Sequence, residues 1–126
     1  MSSILIVEDD ASIRVFLATA LRRWGYAART VASAAAAEAA LRQEPCCGLM
    51  LDLQLADESG YVLALRLRQS GLGLPIVLIS GHADQPFGPL MKALDVAAFL
   101  PKPFELAALE RTVAAAFGAP APARPA

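Results

Sequence analysis

Lysine is nearly missing from this chain: among its 11 cationic side chains only Lys92 and Lys102 are lysines, and the rest are arginines. Charge of either sign is also low overall, with 12 acids leaving a formal net charge of −1. A protein that neutralises a phosphate backbone needs a basic stripe, so direct nucleic-acid binding is excluded. Cysteine is limited to Cys46 and Cys47, which are adjacent. Neighbours on a strand point to opposite faces, so the two neither pair easily nor chelate one metal together. They read as reduced, small hydrophobic residues beside a strand. Without a disulfide framework there is no sign of secretion. Met1-Ser2-Ser3-Ile4 lacks a charged leader and meets acids within ten positions, unlike a signal peptide. No apolar run reaches the length of a membrane span. These absences predict a cytoplasmic protein with no membrane partner.

What is present is apolar and regularly punctuated. The chain has 126 residues and is 56% hydrophobic, enough for one compact domain with one buried core. Short apolar runs alternate with longer helical patterns, five times over. Strands are expected at 4–7, 27–31, 48–52, 75–80 and 97–100. Ile4-Leu5-Ile6-Val7 has the continuous β-branched character of a strand buried on both faces. Helices are expected over 11–24, from Ser33 as cap to 43, over 61–69, and over 104–117. Pro86 and Pro89 keep a fourth helix short, ending near Leu94. Asp10 suits the cap of the first helix, Gly25 its end, and Pro45 prevents continuation of the second. Phe16, Leu17 and Trp24 are assigned to the core, and Leu106, Leu109, Val113 and Phe117 fall on one stripe of the last helix. The domain is expected to occupy 1–117. Residues 118–126 are rich in Pro and Ala and read as a disordered tail or linker stub.

Alternating βα units imply a parallel sheet with helices on both faces. In such folds ligands bind outside the carboxyl ends of the strands. Those ends carry Glu8-Asp9-Asp10, Asp52, Ser80 and Lys102. If the sheet order is flavodoxin-like, 2-1-3-4-5, these side chains converge on one cleft. Clustered acids repel and raise one another's pKa unless a cation neutralises them, and Mg²⁺ suits such oxygen donors. Lys102 adds a fixed positive charge and Ser80 a hydroxyl. The combination suits phosphoryl transfer to a carboxylate, with Asp52 as nucleophile and ligand together.

Along residues 3 to about 117 the chain resembles the receiver domains of bacterial two-component response regulators. The resemblance is carried by Ile4-Leu5-Ile6-Val7-Glu8-Asp9-Asp10, Leu51-Asp52, Gly60, Ile76-Val77-Leu78-Ile79-Ser80-Gly81 and Phe99-Leu100-Pro101-Lys102-Pro103-Phe104. It implies the chemotaxis-regulator fold, a five-stranded sheet with five helices. It also implies that Asp52 accepts a phosphoryl group from a phosphohistidine on a sensor histidine kinase or a histidine phosphotransfer protein. Asp9 and Asp52 then ligate Mg²⁺ (or Mn²⁺) directly, Glu8 acts through water, and the backbone carbonyl of Gln54 is a further ligand. Ser80 matches the hydroxyl that swings to the acyl phosphate, and Phe99 the aromatic switch. Lys102 contacts the phosphate, with the Lys102-Pro103 bond expected to be cis.

Such a domain is no enzyme in the usual sense, since it assists only its own phosphotransfer and dephosphorylation. The face made by the fourth helix, fifth strand and last helix is the one expected to be read by an effector, an output domain or a second copy forming a homodimer. Nothing in 1–117 encodes an output, so either the receiver stands alone or it precedes one. Several positions depart from the commonest pattern: Leu55-Ala56 replaces a frequent Met-Pro, Gly81 a frequent alanine, and Gln54 and His82 stand where, by the resemblance, phosphoryl lifetime is tuned. His82 itself reads as a loop residue rather than a phosphoryl relay. A hydrolase using an aspartyl-phosphate needs a general acid near its nucleophile; haloacid-dehalogenase-like enzymes place a second Asp two residues on, where this chain has Gln54.

Overall fold

The computed structural model describes residues 3–81 and 87–120. Within them five strands alternate with five helices: β1 (Ser3–Val7), α1 (Ala11–Arg23), β2 (Ala28–Val31), α2 (Ala34–Gln43), β3 (Cys46–Asp52), α3 (Gly60–Gln69), β4 (Ile76–Ser80), α4 (Phe87–Ala93), β5 (Ala98–Pro101) and α5 (Leu106–Phe117). The strands form one sheet in the order β2-β1-β3-β4-β5, with every pairing parallel. This is the flavodoxin-like arrangement expected from the alternation. His82 and Pro86, and the tail from residue 121, lie outside the described residues.

Side-chain alternation along the central strands divides the core into two layers. Ile4, Ile6, Met50, Val77 and Ile79 face a cluster with Leu17, Leu21, Leu109 and Val113 from α1 and α5. Leu5, Val7, Leu49, Leu51, Ile76 and Leu78 face the opposite layer with Ala34, Ala37, Leu63 and Leu67 from α2 and α3. Burial on both faces is what makes these strands continuously apolar in sequence. Helix boundaries follow the local chemistry. Asp10 caps α1 by accepting from Ser12 N at 2.9 Å and Ile13 N at 3.2 Å. Gly25, past the end of α1, has φ +96°, a left-handed conformation that glycine adopts without steric cost.

Several details depart from the sequence expectation. β3 begins at Cys46 rather than Gly48, and its register against β1 shifts between Ser3 and Ile4, opposite Cys46 and Gly48. Cys47 is the extra residue of that bulge, and it is exposed. Phe16, assigned to the core, is 44% exposed and sets its ring against Phe104 with centroids 6.1 Å apart. It sits about 100° around α1 from the fully buried Leu17, at the edge of the inward stripe. Leu106, at the open first turn of α5, is 53% exposed, whereas Leu109 and Val113 are buried. Beyond α5, the Tyr26 hydroxyl donates to Gly118 O at 2.6 Å, and Pro120 lies against Gly25.

Candidate functional site

Parallel strands deliver their carboxyl ends to one edge of the sheet, and the acids follow from that. Glu8 and Asp9 leave β1, Asp52 is the last residue of β3, Ser80 is the last of β4, and Lys102 follows β5. Asp52 pairs in register with Ile79, one residue before Ser80, and Ser80 pairs with Pro101, one residue before Lys102. The Lys102 amide donates to Ser80 O at 2.7 Å, which fixes the end of β5 against β4. The Lys102-Pro103 peptide bond is cis.

Glu8, Asp9 and Asp52 each offer a carboxylate oxygen within 4.8 Å of the others. Glu8 is 0% exposed and Asp52 2%, while Asp9 is open to solvent. Lys102 Nζ donates to Glu8 Oε1 at 2.7 Å and to Asp52 Oδ2 at 3.3 Å. The other oxygen of Asp52, Oδ1, accepts from Gln54 N at 3.0 Å. Ser80 is buried at the same edge. Phe99 on β5 packs against the α2–α3 layer of the core. The Gln54 side chain lies over Gly81, its Oε1 3.7 Å from where a Cβ would stand.

Burial pushes the Glu8 carboxyl above its ordinary pKa, and the neighbouring Asp52 acts in the same direction against the lowering pull of Lys102. Burial opposes the charge on Lys102, but the Glu8 and Asp52 carboxylates outweigh it and hold the ammonium above its usual value. The site therefore concentrates negative charge that one lysine only partly compensates. Three hard oxygen donors within reach of one point, two of them withdrawn from water, match the ligands a small divalent cation takes. The donor set fits Mg²⁺.

The loop from Asp52 to α3 folds back tightly on the strand. Gln54 and Ser59 form an isolated antiparallel bridge, and the Gly60 amide donates to Leu53 O at 2.9 Å. A Cβ at Gly60 would stand 2.1 Å from the Asp52 carbonyl oxygen, so only glycine permits this approach. Two contributors were not identified from the sequence. Arg14 donates from Nη1 to the carbonyls of Glu8 at 2.8 Å and Asp9 at 3.2 Å, securing the backbone of both acids. Its spacing of four residues from the Asp10 cap, one helical turn, was the available signal. Asp57 is the second, and it accepts from the first two amides of α2.

Comparison with known proteins agrees with this geometry. Residues 4–114 match the family model described as the response regulator receiver domain. The chain is 35% identical over 106 residues to the response regulator receiver protein CpdR of Brucella abortus, covering 84% of this chain and 88% of that protein. It is 35% identical over 104 residues to the transcriptional regulatory protein GltR of Pseudomonas aeruginosa, covering 81% of this chain but 43% of the relative. Against the DNA-binding transcriptional regulator NtrC of Rhizobium meliloti it is 31% identical over 94% of its length and spans 25% of that protein. The non-phosphorylated HemR receiver domain from Leptospira biflexa superposes with a TM-score of 0.86 at 26% identity, covering 98% of this chain and 100% of that one. A sensor protein from Polaromonas superposes with a TM-score of 0.83 at 30% identity, covering 92% and 95%. With the matched segment running from β1 into α5 and enclosing every strand-end residue of the cleft, this chain belongs to the response regulator receiver domain family.

Proposed function

We propose that this domain is a phosphorylation-driven switch of a two-component phosphorelay, working in the cytoplasm. Asp52 accepts a phosphoryl group from the phosphohistidine of a sensor kinase or a histidine phosphotransfer protein. The observation that carries this reading is the bridging position of Lys102, 2.7 Å from Glu8 and 3.3 Å from Asp52 inside the three-acid cluster.

The Gln54 amide holds Asp52 Oδ1, which leaves Oδ2, beside Lys102, as the attacking oxygen. The Asp52 oxygen–phosphorus bond forms as the nitrogen–phosphorus bond of the donor breaks, and the departing imidazole nitrogen takes up a proton. Lys102 stabilises the charge spread over the phosphoryl oxygens, released from Glu8 as the group arrives. Asp9 and Asp52 would hold Mg²⁺ (or Mn²⁺) directly, Glu8 through water, with the Gln54 carbonyl as a further ligand. When bound, the ion supplies neutralisation of the charge on the transferring group. An apolar groove lined by Phe16, Ile13 and Phe104 runs up to Lys102 and supports approach of the donor along α1.

Ser80 contacts the acyl phosphate through its hydroxyl, and Phe99 turns inward as Ser80 moves. Burial of Ser80 at the end of β4 and partial exposure of Phe99 on β5 support these roles. The resulting repacking of the α4–β5–α5 face is read by an effector, an output domain or a second copy. The domain assists its own phosphotransfer and dephosphorylation and turns over no separate substrate.

The test is incubation with Mg²⁺ and acetyl phosphate, followed by intact-mass measurement. A base-labile phosphoryl adduct is expected in the wild type and not in Asp52→Asn. A wild type that stays unmodified, with donor and metal in excess, rejects the reading.

A further inference from the structure

We propose that Asp57 is a positioning residue for the Asp52 site: by capping α2 from outside that helix, it holds the loop that orients Asp52 and Gln54. The inference rests on the phosphorylation reading above and assigns that site a support in a different layer of the fold.

A helix begins with amides that lack partners inside it. In α2 the local cap, Ser33, satisfies only the amide of Ala36, at 3.1 Å. The amides of Ala34 and Ala35 donate instead to Asp57 Oδ1 and Oδ2, each at 3.1 Å, across 23 and 22 residues of sequence. One carboxylate thus straddles the start of α2 with both oxygens, where the helix dipole favours negative charge.

Asp57 stands at the outer end of the loop that joins Asp52 to α3. That loop is closed at its base by the Gln54–Ser59 bridge and the Gly60–Leu53 hydrogen bond. Its inner side is anchored by Leu55, buried in the α2–α3 layer. The Gln54 amide in turn grips Asp52 Oδ1 at 3.0 Å. A displacement at Asp57 is therefore carried through few rotatable bonds to the peptide that sets the Asp52 carboxylate. Arg66 of α3 braces the same loop and helix, bonding Glu58 in the loop and Glu38 on α2. The acids of that second tie are partly solvated and Asp57 is itself exposed, so both ties work close to water.

In-line attack depends on orientation, and small misplacements far from the reacting atoms are costly in rate. If Asp57 served only α2, removing it would lower stability and nothing else. Ser33→Ala provides the matching control, because it deletes a cap of the same helix without touching the loop.

The experiment compares wild type, Asp57→Ala, Asp57→Asn and Ser33→Ala in the full chain, at a temperature where all are folded by circular dichroism. Two quantities are read: the initial rate of adduct formation from acetyl phosphate, and the Mg²⁺ dissociation constant by calorimetry. Asp57→Ala is expected to slow the reaction about tenfold and to weaken Mg²⁺ binding, whereas Ser33→Ala matches wild type. Asp57→Asn, which keeps one acceptor oxygen, should recover part of the loss. Equal rates and equal Mg²⁺ affinities in Asp57→Ala and Ser33→Ala overturn the inference while leaving the phosphorylation reading intact. A wild type that forms no adduct overturns both.

Discussion

Lys102 and Glu8 stand 94 residues apart in sequence, yet the ammonium Nζ lies 2.7 Å from a carboxylate oxygen that is fully withdrawn from solvent. Without Lys102 the buried Glu8 would face Asp52 with no cation between them. Removing one partner of a buried ion pair leaves an uncompensated charge, and that loss exceeds the net contribution of the intact pair.

Lys102→Met keeps most of the side-chain stem and deletes the charge. In metal-free buffer at neutral pH it should lower unfolding free energy by about 3 kcal/mol, the smaller end of the range because the lysine retains some water. Urea denaturation measures this. Added Mg²⁺ should restore part of the deficit, since a cation again faces the acids. A midpoint unchanged from wild type would show that Glu8 simply takes up a proton at no cost.

Asp9 is the exposed member of the acid cluster, so its removal tests metal binding with little structural penalty. Mg²⁺ at one hundred times its dissociation constant should stabilise the wild type by about 2.7 kcal/mol. Asp9→Ala should lose most of that increment while its metal-free stability stays equal or rises, because one like charge has gone. Thermal unfolding with and without Mg²⁺ distinguishes the two contributions.

Gly60→Ala places a methyl group 2.1 Å from the Asp52 carbonyl oxygen, a backbone atom that cannot swing aside. The loop must shift, with a destabilisation of about 1–3 kcal/mol typical of forced overpacking. Chemical denaturation gives the stability change, and adduct formation at Asp52 should slow in parallel. Unaltered stability would mean that the loop is looser than its bridge implies.

Asp57 also carries a pH signature. Hydrogen bonds from the Ala34 and Ala35 amides hold its carboxyl below the ordinary 3.8. A carboxylate with a lowered folded pKa binds fewer protons folded than unfolded, so its stabilisation is complete above 3.8 and fades as pH falls through the folded value. Carbon-detected NMR titration should find Asp57 titrating below the ordinary aspartate value. In Asp57→Asn the acid limb of the stability profile should flatten in that window, and an identical limb would exclude the effect.

Much of this architecture was readable because it is local. Ile4-Leu5-Ile6-Val7 and Ile76-Val77-Leu78-Ile79 announce strands covered on both faces, and Asp10 and Ser33 announce helix starts through side chains that reach their own next turn. The placement of Glu8, Asp9, Asp52, Ser80 and Lys102 at strand ends was legible for the same reason, since each follows directly on an apolar run. Phe16 was misassigned to the core, and the stripe on the last helix includes the exposed Leu106, because a helical stripe gives a direction but not the edge of the surface that covers it.

The sequence by itself determined which residue types stand at the carboxyl end of each strand, and hence the chemistry available there. Only the tertiary structure decided which of them meet. Lys102 bonds Glu8 at 2.7 Å and Asp52 at 3.3 Å because β5 pairs with β4 in a register that ends at Ser80 and Pro101. Asp57 caps α2 because the loop after β3 turns outward over that helix, a contact across more than twenty residues that no periodicity encodes. Local propensity acts through neighbours along the chain, whereas these distances are set by strand order, register and the packing of two helical layers on one sheet.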